Sequence, residues 1–552
     1  MSIKDVEAIF SFLGGLGMFL YGMNVMADGL QKSSGTKMKK LLGILTNNRL
    51  VAVLVGAAVT AIIQSSSATT VMVVGFVNAG LMNLSQAVGV IMGANIGTTV
   101  TAWIVSMSEW GAFLKPEFIA PLVIGIGAFV MLFTKSQRKK LAAEILIGFG
   151  LLFIGLSFMS QAIIPYRDAP IFTTAFQMLG RNPFLGILTG AVVTAIIQSS
   201  SASVGILQTL AINGLVTWNS AIFITLGQNI GTCITAVISS FGASRTAKRA
   251  AFIHFLFNFI GAVVFGIIMF VLFYLNEAWA SSNINSIQIS VFHTIFNLVN
   301  TVILFPFANQ LVKISEVIIK DKVKAPVEKT EDKITLRHLD NRILETPTFA
   351  VQNAVLEVVR MGETTYDNTK LAFEAVLEND NDKAIEVYKQ EEAIDEMARL
   401  ISDYLVDISN LSLSEQQQKL VNHLFYTVSD IERIGDHAEN LAELAKFKVE
   451  NNIVFSSKAN EELDGVMEFV TNSLVYAIKS REEANIEFAD KSVEYEDLVD
   501  YVESELREKH IERLAKNLCK PTSGVVFLDI LSNLERISDH AENIANYVKD
   551  EV

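Results

Sequence analysis

Cysteine is nearly missing. The 552 residues hold two, Cys233 and Cys519, so no disulfide framework and no cysteine-based metal site is expected. Histidine numbers seven in all, which argues against a histidine-metal catalytic centre. No nucleotide-cradling glycine loop, zinc motif or nucleophile–base signature occurs, so the chain does not read as an enzyme. The start, MSIKDVEAIF, lacks a basic n-region and leads into an apolar run long enough to span, so no cleavable signal peptide is expected. Charge is absent over long stretches: residues 50–108 and 182–244 hold no Asp, Glu, Lys or Arg.

What is present is apolar and unevenly placed. Hydrophobic residues make up 51% and mean hydropathy is +0.39. Residues 1–320 hold 9 of the 58 acids and 18 of the 44 bases, whereas residues 321–552 hold the other 49 acids and 26 bases. A chain split from +9 to −23 has two regions in different solvents, the first in a membrane and the second in water.

Full spans of about 20 residues fit at about 8–30, 83–107, 116–134, 141–164, 218–241, 250–275 and 290–312. The run 41–82 is broken in its middle by Gln64, Ser65, Ser66 and Ser67, and 183–216 repeats that pattern around Gln198. Each reads as a re-entrant hairpin that enters and leaves on one side, since broken backbone at depth is tolerated only inside protein or along a wet cavity. With that topology the basic clusters Lys32–Lys40, Lys135–Lys140 and Arg245–Arg249 share one side. The positive-inside rule makes it the cytosol, so the acidic region is expected there too, on a multi-pass protein of the bacterial inner membrane.

The hairpins belong to an internal repeat. GAAVTAIIQSSSA (Gly56–Ala68) and GAVVTAIIQSSSA (Gly190–Ala202) agree at twelve of thirteen positions. GANIGTT (Gly93–Thr99) and GQNIGTC (Gly227–Cys233) follow at the same spacing, 31 residues from Gln64 to Asn95 and from Gln198 to Asn229. GMFLYG (Gly17–Gly22) faces GLLFIG (Gly150–Gly155). This predicts two duplicated, inverted units, about 8–134 and 141–275, with an extra span at 290–312. Inverted units with paired broken segments point to alternating access around a midplane site.

Each break offers hydroxyls, an amide and a fresh helix N-terminus whose free N–H groups suit an anion. Amide and unwound carbonyls suit Na⁺. With no Arg or Lys in either hairpin core, an anion there needs co-bound cations, a physical motive for ion coupling. His254 with Asn258, and His293 with Asn297, share helix faces at i, i+4 and read as interhelical packing.

Two Q-S-S-S motifs, each followed by G-x-N-I-G-T, resemble the type II sodium/phosphate cotransporter family over about residues 1–315. The resemblance implies Na⁺-driven uptake of inorganic phosphate. It implies phosphate contacts from Ser65, Ser66, Ser67, Ser199, Ser200 and Ser201, with Gln64, Asn95, Thr98, Gln198, Asn229 and Thr232 completing the phosphate and Na⁺ sites, here as sodium ligands. The motif alone does not divide the ions among these residues.

Residues 316–345 read as a charged linker. From about 346 to 552 the pattern is helical and repeats: DIERIGDHAEN (Asp430–Asn440) answers NLERISDHAEN (Asn533–Asn543), and EEAID (Glu391–Asp395) answers EDLVD (Glu496–Asp500). Two three-helix bundles fit the length, making the chain all-α throughout. Glu and Asp at i and i+4 share a face and repel unless a cation joins them, and all-oxygen ligands suit a hard metal, iron or manganese. A solvated acidic face screened by Arg433 and Arg536 is the alternative. This half resembles the PhoU family of phosphate-signalling regulators, which implies metal binding by Glu391/Asp395, Glu432/Asp436, Glu496/Asp500 and Glu535/Asp539.

The expectation is a Na⁺/phosphate symporter with a cytosolic regulatory domain, and with phosphate, the bilayer, and a phosphate-signalling partner or a second copy as partners. No nucleic acid is expected. The alternatives are a symporter of another oxyanion and a phosphate receptor that signals without turnover.

Overall fold

The structure, a computed structural model, describes residues 3–33, 48–110, 116–166, 169–320, 336–516 and 518–551. The basic loop beyond Ser33, Arg167 and Asp168 of the expected polar loop, and residues 321–335 of the expected linker lie outside them. The described residues are overwhelmingly helical, and the chain divides into two compact units, residues 1–325 with 340–349, and residues 326–339 with 350–552.

Unit one contains α1 (Ile3–Ser33), α2 (Arg49–Ile63), α3 (Ser66–Asn78), α4 (Leu84–Ser106), α5 (Pro116–Phe133), α6 (Gln137–Ile163), α7 (Pro170–Arg181), α8 (Pro183–Ile197), α9 (Ser200–Ile212), α10 (Trp218–Gly231), α11 (Cys233–Ser239), α12 (Arg245–Leu275), α13 (Glu277–Ala280), α14 (Ser286–Leu304) and α15 (Ala308–Ile318). Among the described residues six stretches are long and apolar enough to cross a membrane: Ile3–Ser33, Leu84–Glu109, Gln137–Tyr166, Trp218–Ser239, Arg245–Leu275 and Ser286–Ile318. Their outer faces carry large exposed apolar side chains, Ile267, Phe270 and Tyr274 on α12 and Leu298 and Val302 on α14. Such surface is costly in water and is at home against lipid. Helix α7 has no counterpart in the expected elements; it starts with Pro170 in its first turn and meets α8 at 112°.

Helix direction follows from glycine register. A Cβ added to Gly22 would lie 2.7 Å from the Gly148 carbonyl oxygen, and one on Gly15 2.8 Å from that of Gly155. Rising numbers on α1 meet falling numbers on α6, so these two helices run antiparallel. By contrast Gly89 abuts Arg49 and Ala52, Gly93 abuts Val53 and Ala57, and Gly97 abuts Ala57 and Thr60. Helices α2 and α4 therefore run parallel and begin at the same level. The intervening α3 must bring the chain back, so α2–α3 is a hairpin. Its first arm of 15 residues rises about 22 Å, short of the roughly 30 Å of hydrocarbon. The same logic holds for α8 and α10, where Gly227 abuts Ile187 and Ala191, and Gly231 abuts Ala191 and Thr194.

Unit two is built from α16 (Pro347–Glu378, whose first residues belong to unit one), α17 (Asn381–Ser409), α18 (Glu415–Glu450), α19 (Ser457–Glu483), α20 (Ile486–Ala515) and α21 (Pro521–Glu551). Val421, Leu424, Val428, Ile431, Ile434, Ala438 and Leu441 put one apolar stripe of α18 into the core, the three- and four-residue spacing of an amphipathic helix. A capping box of Ser414 and Gln417 starts that helix.

Close backbone contact makes α1–α6 intolerant of side chains. Gly22→Ala places a methyl 2.4 Å from the Leu152 nitrogen and should destabilise by about 1–3 kcal/mol. Gly17→Ala, with nothing within 4 Å, should be silent. Thermal unfolding of detergent-solubilised protein compares them; equal midpoints would contradict this packing.

Candidate functional site

Both hairpins break in the same way. Gln64 and Gln198 end their helices in the left-handed region, φ 58° and 56°, and close the last turn onto Thr60 and Thr194 carbonyls at 2.7 and 2.8 Å. Ser65 and Ser199 then cap the next helix, each accepting at its hydroxyl oxygen from the N–H of Ala68 or Ala202 (3.1 and 3.2 Å). A serine that caps in this way still has its hydroxyl hydrogen to donate. The arms are pinned by hydroxyl pairs in matching positions, Thr60 to Thr69 at 3.0 Å and Thr194 to Ser203 at 2.8 Å. These bonds occupy polar groups that would otherwise be stranded at depth.

The two breaks meet in one cavity of about 310 Å³, lined by Gln64, Ser65, Ser66, Ser67, Gln198, Ser199, Ser200 and Ser201. All eight motif residues are thus brought together. The cavity also takes in Asn24, Asp28 and Gln31 from α1, and Glu345. None of these four was expected from the motifs; their nearness is tertiary and leaves no local signal. Among the described residues no Arg or Lys lines the cavity, while two carboxylates do. Ser66 Oγ and Gln31 Nε2 are buried there without a hydrogen-bond partner, at 4% and 8% residue exposure. Unspent buried donors of this kind ask for an acceptor.

Four expected residues lie elsewhere. Asn95, Thr98, Asn229 and Thr232 are buried but do not line the cavity. Thr98 and Thr232 donate to the carbonyls of Ala94 and Gln228, both at 2.9 Å. Asn95 and Asn229 donate to Ile91 and Thr225, both at 2.8 Å. Asn229 Oδ1 is further held 3.2 Å from His293 Nε2 and 3.5 Å from Asn297 Nδ2. That interhelical tie is the packing role expected of the α14 pair; on α12, Asn258 reaches Cys233 Sγ at 3.4 Å. Symmetry breaks at the glutamines. Thr101 donates to Gln64 Oε1 at 2.9 Å and Gln64 is buried. Thr235, in the matching place, donates to Thr232 instead at 3.1 Å, and Gln198 is exposed.

In unit two the acidic motifs converge. Carboxylate oxygens of Glu391, Asp395 and Asp436 lie within 4.8 Å of one another, as do those of Glu496, Asp500 and Asp539. Glu432 and Glu535 fall outside both trios. His437 and His540 bind across the repeat: His437 Nδ1 is 2.9 Å from Asn533 and His540 Nδ1 is 2.7 Å from Asp430, each the first residue of the other motif.

The Na⁺/Pi-cotransporter family description matches residues 18–161 and 169–310, and the PhoU domain description matches residues 358–445 and 463–548. The chain belongs to the Na⁺/Pi-cotransporter family and carries a C-terminal PhoU domain. It is a multi-pass membrane protein of a phosphate transporter family. YjbB of Escherichia coli (strain K12), whose name assigns it provisionally to inorganic phosphate export, is 24% identical over 95% of this chain and 94% of its own length. YqeW of Bacillus subtilis (strain 168) is 31% identical over 57% of this chain and 99% of its own. The sodium-dependent phosphate transport protein 2A of Rattus norvegicus is 35% identical over 18% of this chain and 16% of its own.

Within the PhoU domain the clusters are only partly relieved, by His437, Arg433 and His540 at Asp436 and by Arg536 and His540 at Asp539. Burial, then a hydrogen bond and the charge of Asp395, push Glu391 up to about 8. Burial, then the Asp500, Glu542 and Asp539 charges, push Glu496 up to about 7. Glu391 Oε1 is buried with no partner. Like charges held together raise each other's proton affinity, and three hard oxygens beside an orphaned one fit a hard cation that would replace the protons.

A stability prediction follows. Between about pH 4.5 and 8 the metal-free folded domain holds protons that the unfolded chain has released, so its stability falls as pH rises. The expected loss is about 1–2 kcal/mol after solvent screening, and saturating Mn²⁺ should flatten it. Calorimetry of the full chain in detergent checks both; a metal-free profile that rises from pH 5 to 8 would be the wrong sign.

Proposed function

We propose that this chain is a sodium-coupled phosphate symporter that works by alternating access, with the paired breaks as its substrate site. The observation that carries this is the single cavity lined by both Q-S-S-S motifs and, among the described residues, by no cationic side chain. Two helix N-termini and the serine hydroxyls supply donors for an oxyanion. Two carboxylates in the same cavity make that anion unwelcome unless cations enter with it. In this reading Ser65, Ser66, Ser67, Ser199, Ser200 and Ser201 contact phosphate. The Gln64 and Gln198 amides serve sodium, while Asn95, Thr98, Asn229 and Thr232 sit behind them. The antiparallel α1–α6 crossing supports inverted units. The positive-inside rule puts the PhoU domain in the cytosol of a bacterial inner-membrane protein. There it would hold iron or manganese at its two acidic trios and regulate transport, through a signalling partner or a second copy.

Symport fixes which ions move together, and the gradients set the direction. An inward Na⁺ gradient gives uptake. The name of the full-length relative YjbB favours a second reading, net phosphate export on the same site. A receptor without turnover would bind phosphate and accumulate none, and a carrier of another oxyanion would be indifferent to competing phosphate.

Reconstituted in proteoliposomes, the chain should accumulate labelled phosphate with Na⁺ and not with K⁺. Ser66→Ala with Ser200→Ala should cut the flux more than tenfold, since a hydrogen bond to a charged group is worth about 1.5–3 kcal/mol. Efflux from preloaded vesicles under a reversed gradient tests export. Binding without accumulation in either salt would end the symporter reading.

A further inference from the structure

The cavity has one wall that belongs to neither repeat. Residues 340–349 fold back onto unit one, with a short 3-10 turn at Asn341–Glu345. Asn78, the last residue of α3, donates to Asp340 Oδ2 at 2.6 Å, and its Oδ1 accepts from the Ser244 N–H at 2.7 Å. Arg342 pairs with Asp340 at 2.8 Å and donates to the carbonyl of Ser239 at 2.5 Å, at the end of α11. Ile343 is wholly buried and faces Gly75, where an added Cβ would meet it at 3.0 Å. Phe349 meets Phe76 edge-on at 6.1 Å. The strap is thus tied to hairpin one and to the second repeat. It leaves Glu345 solvent-accessible on the cavity wall shared with the six motif serines.

The flanks of the strap belong to the other unit. Just before it, Arg337 and His338 donate backbone N–H groups to the fully buried carboxylate of Glu357, at 3.2 and 2.7 Å, and the His338 ring closes on the same carboxylate at 2.7 Å. Just after it, the chain continues as α16.

We propose that the strap Asp340–Phe349 is an autoinhibitory latch: docked, it keeps the Glu345 carboxylate in the anion cavity, and its release by the PhoU domain opens the site to an oxyanion. The argument is one of charge. Among the described residues the cavity offers unspent donors on Ser66 and Gln31 but no cationic side chain. A carboxylate held on the wall is a like charge to the substrate and raises the cost of admitting an oxyanion. Because both flanks are anchored in the PhoU domain, a change in that domain acts on the strap from its two ends. The inference rests on the proposed oxyanion site and adds a regulator to it.

The test is phosphate transport by the full chain in proteoliposomes, as half-saturating phosphate and maximal rate. Glu345→Gln, an isosteric change at an accessible residue, should lower half-saturating phosphate about fivefold or more. Glu345→Asp should stay near wild type. Arg342→Ala and Asn78→Ala, which untie the strap without touching the motifs, should act in the same direction. Glu345→Gln combined with Arg342→Ala should add little, because both relieve one contact. Glu345→Gln that weakens phosphate use, or leaves it unchanged while wild type transports, overturns the latch and spares the carrier. Should Arg342→Ala fail to fold, Glu345→Gln and Glu345→Asp alone decide. No flux of phosphate, arsenate or sulfate in any variant would sink the carrier and the latch together.

Discussion

Everything in the transport unit depends on two interruptions of the helical hydrogen-bond ladder. Unsatisfied backbone in hydrocarbon costs several kcal/mol per group, so a break at depth survives only if the surrounding protein meets its polar groups. Here the left-handed glutamine closes one helix, the serine caps the next, and a hydroxyl pair ties the arms. The bare glycine faces of α4 and α10 bring backbone against backbone, so the hairpins stand on rigid neighbours. Among the groups left unpaired, Ser66 Oγ and Gln31 Nε2 lie at the cavity, where a ligand could reach them.

The second constraint is charge. Helix N-termini and hydroxyls are partial charges that favour an anion without neutralising it. With Asp28 and Glu345 on the same wall, the empty cavity is closer in character to a cation trap than to an anion trap. In the proposed symport, an oxyanion becomes welcome when sodium has entered, and sodium is more firmly held when the oxyanion is present. Mutual dependence of that kind is what coupling means thermodynamically. The two glutamines are not equal in it. Gln64 is locked by Thr101, whereas Gln198 is exposed. Helix α4 runs unbroken past its motif while its counterpart divides into α10 and α11 at Thr232. Near-identical sequences thus take on a fixed and an adjustable side.

The sequence carried the breaks and the duplicated acidic motifs because each is local: a polar knot in an apolar run, a carboxylate pair at i, i+4. The eight motif residues and six of the eight acidic ones assemble as expected. What escaped depends on distance in sequence. Asp28, Gln31 and Glu345 reach the cavity only through the fold. Glu432 and Glu535 share a helix face with Asp436 and Asp539, yet Glu391 and Glu496, from neighbouring helices, complete the trios. Spacing says which side chains share a face; it does not say which face meets which. Asn95 and Thr98 show the limit again, since side chains spent on their own helix's carbonyls look, in sequence, like ligands.

The two units solve one electrostatic problem in opposite ways. The transport unit gathers partial positive dipoles and, in the proposed symport, takes up a mobile cation with its anion. The PhoU domain gathers full negative charges, and burial together with these charges pushes Glu391 up to about 8 and Glu496 up to about 7. Its histidines offset only part of this, the charges of His437 and His540 acting on Asp436 and that of His540 on Asp539, while both rings tie each motif to the other. These two ties join one half of the domain to the other beside both trios. In the proposed regulation, a change in the PhoU domain acts on the strap through the chain between Glu357 and Ile343, where a carboxylate anchors one end and a buried side chain the other. Regulation by that route needs no contact with the serines, only control over where Glu345 rests.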